Sequence, residues 1–136
     1  MSNHNFLHPQ EIEVFYIIPA LRRQLAMHMK QNGLKQKRIA ELLVIEDATV
    51  SQYMSKKRGN KIMFDEVVMQ EIAKSAILIK DKLSLLKEMQ HLLRVIKETR
   101  EICRIHKQIS KVPHECNPEL INCFGGKEYG NARLQY

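Results

Sequence analysis

Apolar side chains recur along this chain at helical spacing, and the pattern predicts a series of helices of unequal length. Residues 1–8 are polar and loose, and Pro9 with Gln10 and Glu11 starts a helix. Ile12, Val14, Phe15, Ile17 and Ile18 supply its buried surface. Pro19 begins a second helix, PALRRQLAMHMKQN, with Leu21, Leu25 and Met29 on one stripe and Gly33 as a left-handed stop. Two short helices follow. Gln36–Leu43 places Ile39, Ala40 and Leu43 on one face, and after a break Asp47–Met54 repeats the spacing with Val50, Tyr53 and Met54. SKKRGNK is a loop, because Gly59-Asn60 is a strong turn signal.

Asp65 caps a helix running through VVMQEIAKSAILIKDK, with Val68, Ile72, Ala76 and Ile79 facing inward. From Leu85 the apolar steps alternate between four and three: Leu85, Met89, Leu92, Ile96, Thr99, Cys103, His106. That is an a/d seam of about three heptads. Pro113 ends the helical pattern, and the tail VPHECNPELINCFGGKEYGNARLQY has little periodicity. The expected fold is all-α. A compact helix-turn-helix domain over 9–61 precedes one or two longer helices over 62–110, used for dimerisation or packing, and an irregular Cys/His-containing tail over 111–136.

Charge sharpens this picture. Between Arg22 and Lys61 stand ten basic residues against Glu41, Glu46 and Asp47 alone. The remainder holds 12 basic and 12 acidic residues, so this window carries the whole formal charge of +7. A basic excess confined to a helix-turn-helix candidate predicts a polyanionic partner, since phosphate neutralisation and counterion release dominate such affinities. The alternative is a solvated basic face that serves solubility.

Within the window, Ala40 is small enough to let two helices cross closely, as a helix-turn-helix requires. Opposite the buried face of the second helix lie Asp47, Ala48, Thr49, Ser51 and Gln52, short or polar groups suited to reading DNA. Pro19–Gly59 as a whole resembles the lambda-repressor-like (Cro-type) helix-turn-helix domain, and within it a group of small archaeal predicted transcriptional regulators. The likeness rests on PALR, the Ile-Ala-Glu-Leu-Leu helix and the VSQYMSKKRG ending, about 40 contiguous residues without a gap.

The resemblance implies a role for each matching residue. Gln36 would bind a phosphate and brace the reading helix, Ala40 is the crossing residue, and Val50 and Tyr53 are buried. Asp47, Ala48, Thr49 and Gln52 would face base edges in the major groove. Gln52 is the best single reader, because an amide pairs bidentately with adenine, and Thr49 and Ala48 could touch a thymine methyl. Lys35, Gln36, Lys37, Lys56, Lys57, Arg58 and Lys61 lie at the two ends of the motif, where phosphates would pass.

The chain departs from the family in three places. Val44 replaces the usual turn glycine, and a β-branched residue at positive φ is an outlier, so the turn is either remodelled or strained. Asp47 either accepts from cytosine or simply caps its helix. Lys35 stands where the family has serine, losing a cap and adding a phosphate partner.

One motif rarely suffices for specificity, so a homodimer on a two-fold site is expected. The Leu85–His106 stripe serves either as its surface or as an intrachain packing face. Cys103, His106, His114, Cys116 and Cys123 form a second constellation, with Cys103, His106, Cys116 and Cys123 as the candidate ligands. Cys103 and His106 share a helix face, and four N/S ligands would suit zinc or, less commonly, an iron–sulfur cluster. The competing reading makes them packing residues.

The leading expectation is a sequence-specific transcriptional regulator, metal- or redox-responsive if the tail binds an ion. The alternative is a protein-interaction adaptor or antitoxin that uses the same domain to hold a protein. An enzyme is the weakest reading, since no glycine-rich phosphate loop is present and no nucleophile–base pair has an identifiable setting. No apolar run spans a membrane, the N-terminus lacks a signal-peptide core, and three cysteines do not suggest a disulfide framework. A cytoplasmic protein is expected.

Overall fold

The computed structural model describes residues 6–121 and 123–124, and every regular element among them is helical. Helix α1 spans Pro9–Ile12, and the Glu11 carboxylate accepts from the His8 backbone N–H at 2.8 Å. A π-helical turn, Glu13–Ile17, then leads into α2, Ile18–Gln31, with right-handed helical dihedrals at every junction. The two helices expected around Pro19 are therefore one rod with a wide turn in it. Pro19 has no N–H to give, and its ring would crowd the carbonyl four residues back. The wide turn adapts the ladder just ahead of it, with Ile18 N–H donating to Glu13 O. The extra residue also changes which side chains face inward. Ile12 and Ile17 are buried, whereas Val14 and Phe15, expected in the core, are 59% and 60% exposed.

Leu21, Leu25 and Met29 are fully buried on α2. The helix closes with paired bonds, Gly33 N–H to Lys30 O and Leu34 N–H to Met29 O, around Gly33 at φ 96°. Helices α3 (Gln36–Leu43) and α4 (Asp47–Met54) follow, packed on each other and on α2. Ile39, Ala40, Leu42, Leu43, Val50 and Tyr53 are their buried residues. Val44 ends α3 in the left-handed region at φ 54°, ψ 51°, and Ile45 N–H reaches back to Ala40 O. The turn keeps the shape that normally calls for glycine, and Val44 carries the strain.

Helix α5 spans Glu66–Leu78, with Asp65 accepting from Val68 N–H at 3.0 Å. It stops short of the expected end. Ile79 is extended, and Asp81 starts α6 (Lys82–Glu98) by accepting from Ser84 N–H while Ser84 Oγ accepts from Asp81 N–H. Val68, Ile72, Ala76 and Ile79 are all buried as their spacing predicts, but Ile79 lies beyond the end of the helix.

The a/d seam is interrupted too. Thr99 ends α6, Arg100 is left-handed at φ 64°, and α7 restarts as Glu101–Ile109, ending before Pro113. Leu92 and Ile96 are buried, but beyond the break Ile102 and Ile105 replace Cys103 and His106 as the inward residues. Helix α6 packs on α3, α5 and α7, and α7 also packs on α1. The Leu85–His106 stripe is therefore not one continuous helical seam: it breaks at Arg100, and Leu92 and Ile96 pack inside the chain.

Helix α2 contacts α3, α4 and α5, so one core runs through both the 9–61 and the 62–110 segments. No helix among the described residues is long and apolar enough to cross a membrane.

Candidate nucleic-acid interface

The α3–α4 pair holds the second helix by its outer face. Gln36, at the start of α3, donates from Nε2 to Ser51 Oγ at 2.7 Å and to Asp47 O at 3.3 Å. Both acceptors lie on α4, so one amide fixes the rotation of that helix. Arg23 adds a bond from Nε to Tyr53 O at the far end.

Glu46, with extended backbone, occupies the cap position of α4, and no side chain caps the helix. Asp47 is therefore the first helical residue and not its cap. Its exposed carboxylate still suits a helix N-terminus, where the dipole favours negative charge. Ala48 is exposed, Thr49 and Gln52 are half-buried, and Ser51 is exposed with its hydroxyl taken by Gln36. Gln52 makes no side-chain hydrogen bond among the described residues, which leaves its amide available.

The cations flank this face at both ends. Lys35 and Lys37 stand at the start of α3, Lys35 without a side-chain cap, and Lys56, Lys57, Arg58 and Lys61 follow α4, all exposed. Lys56 is left-handed at φ 63°, and Lys57 N–H returns to Gln52 O at 2.8 Å, which turns the loop sharply back. Gly59, at φ 74°, lies so close to α2 that a Cβ would stand 2.6 Å from Pro19 O. Arg58, expected at a phosphate, bends over the helix front, with Nη1 3.5 Å from Thr49 Oγ1.

Two cations join the site that local reading did not select. Arg22 and Lys82 line the same groove as Lys37, Asp47, Thr49 and Arg58. Arg22 also shares an adjoining hollow with Lys57, Arg58 and Lys61, in which Phe15 and Tyr16 line the wall and no carboxylate does. Arg22 belonged to the basic window, whereas nothing in the local sequence of Lys82 links it to α4.

The cysteine constellation lies elsewhere. Cys103, His106, Cys116 and Cys123 all line one cavity of about 290 Å³ between α1, α7 and the tail. His106 donates from Nε2 to Leu7 O at 2.6 Å, which commits that ring nitrogen. Burial pushes the Cys103 and Cys123 thiols above their ordinary pKa, and neighbouring thiols add to the shift. Among the described residues no three His, Cys, Asp or Glu side chains are grouped to hold a metal ion, so the zinc or iron–sulfur expectation gains no ligand set from this arrangement.

Comparison with known proteins adds no family to these observations: no family model, no curated protein and no solved structure matches the chain.

Proposed function

We propose that the protein binds double-stranded DNA and reads sequence in the major groove with α4, as a transcriptional regulator does. The observation that carries this reading is the open face of α4, with the Gln52 side-chain amide making no hydrogen bond among the described residues, braced through Gln36 and flanked at both ends by exposed cations. Lys35, Lys37, Lys56, Lys57 and Lys61 would set affinity and register on the phosphates. Arg58 sits close enough to the helix front to act as a second reader, since a guanidinium pairs bidentately with guanine.

The test is selection from a random duplex pool, followed by binding titrations of variants across salt. Gln52→Ala should lose about 1–3 kcal/mol of discrimination at one base pair. Lys57→Ala should weaken all duplexes alike and lower the salt slope by about one. A pool with no enriched sequence and no binding at low salt would sink the proposal.

A protein-holding adaptor is the second reading. It draws support from Ile77, Leu78, Leu83 and Leu86, which leave 56–77% of their surfaces exposed around the α5–α6 turn. Leu83→Lys separates the two. Because the added cation would stand beside Lys82, it should leave duplex affinity unchanged or slightly raised under the DNA reading, and should release a co-purifying protein under the adaptor reading.

A further inference from the structure

The chain's only three cysteines are half-buried free thiols, and all three line the cavity between α1, α7 and the tail. Two local features tie the turn that carries Cys103 to the turn that carries Cys123. The Arg100 guanidinium lies 4.2 Å from the centre of the Phe124 ring, which pins the residue next to Cys123. Arg100 is also the first-turn partner of Cys103, whose N–H donates to its carbonyl at 3.1 Å. The tail is itself folded here, with Cys123 N–H bonded to Pro118 O at 2.9 Å and Cys116 N–H to Pro113 O at 2.9 Å. Cys116 lines the same cavity, and among the described residues no such clamp holds it onto α7.

We infer that Cys103 and Cys123 are a redox pair, joined by a small-molecule disulfide into an intrachain bridge that straps the tail to α7. One thiolate attacks a sulfur of the small disulfide, whose S–S bond breaks, and a small thiolate leaves and takes up a proton. The second thiolate then attacks the protein sulfur of that mixed disulfide and expels the other small thiolate. Two protein thiols lose two electrons and two protons, and the small disulfide becomes two thiols.

Thiolate supply sets the rate. Burial holds both thiols up, Arg100 with Lys107 or Lys97 pulls them down, and Glu13, His8 and His106 line the same cavity. The bridge should therefore form slowly at neutral pH and faster as pH rises. The inference does not depend on the DNA reading, because its readout is the covalent state of the chain.

The experiment treats the full-length native chain with excess oxidised glutathione, quenches with acid, alkylates the remaining thiols and maps the peptides by mass. Most of the chain should carry a Cys103–Cys123 linkage that dithiothreitol releases, with Cys116 alkylated. Cys103→Ser should lose the linkage and hold glutathione on Cys123. Trypsin cutting at Lys111 should leave the tail attached in the oxidised chain until it is reduced. A bridge through Cys116, a cross-link between chains, or glutathione retained on Cys103 and Cys123 of the unsubstituted chain would each overturn the inference.

Discussion

Val44 holds a β-branched side chain at φ 54°, ψ 51°, where the Cβ presses on the neighbouring carbonyl. Such placement costs on the order of 1–3 kcal/mol, partly offset in a Gly variant by the greater freedom of the unfolded chain. Val44 is 53% exposed, so little packing is lost by removing it. Val44→Gly should gain about 1 kcal/mol in urea unfolding, and a loss would mean that its methyl groups do more than the exposure suggests. Gly59 is the opposite case. An added Cβ would meet Pro19 O at 2.6 Å and Arg23 Cβ at 2.9 Å, so the loop bearing Lys57, Arg58 and Lys61 must move. Gly59→Ala should cost about 1–3 kcal/mol by thermal unfolding and weaken duplex binding at the same time. The turn at Gly59 was legible because glycine announces it. The left-handed turns at Lys56 and Arg100 were not, since neither residue type favours that conformation.

At the scale of elements, helix ends were harder to read than helix faces. The Asp65 cap could be read because an apolar run follows it directly. The start at Asp81 is hidden because inward spacing continues through Ile79, which stays buried though it is extended. Its capping exchange with Ser84 is nonetheless complete, and Asp81→Ala should fray the start of α6, read as faster hydrogen exchange at its first turn. The bond from Gln36 to Ser51 couples α3 to α4 in the same way. A brace from Gln36 was expected, but its second bond, to the Asp47 carbonyl, depends on where α4 begins.

Across the whole molecule, one buried carboxylate links the segment after the basic loop to α7. Glu101, 5% exposed, takes Arg104 Nε at 2.7 Å and Nη2 at 2.8 Å, and accepts from Asp65 N–H at 3.0 Å. Arg104 Nη2 also reaches Met63 O at 2.7 Å. The Arg104 bonds hold the Glu101 carboxyl below the usual glutamate range, with the Asp65 N–H adding to them against the cost of burial. A carboxyl lowered on folding contributes stability that is full above its unfolded pKa and fades as pH falls. The loss should therefore begin near the unfolded value of about 4.3 and continue below it. Glu71 and Asp81 shift in the same direction, so the informative quantity is a difference between proteins. Glu101→Gln should destabilise by about 2 kcal/mol in urea at neutral pH, and the gap from wild type should narrow in acid.

The amino-acid sequence by itself determined the helical class, the inward faces of most helices, the α3–turn–α4 unit and the placement of all excess charge beside it. These follow from spacing of three to four residues and from residue type, both local properties. Tertiary structure alone decided that Pro19 lies within a rod, that the a/d seam breaks at Arg100 and turns into the chain's own core, and that Lys82 stands beside α4. It also gathered three cysteines from α7 and the tail around one cavity. Each of these depends on contacts between residues far apart in the chain, which settle where a helix stops and what it faces, and no local pattern carries that information.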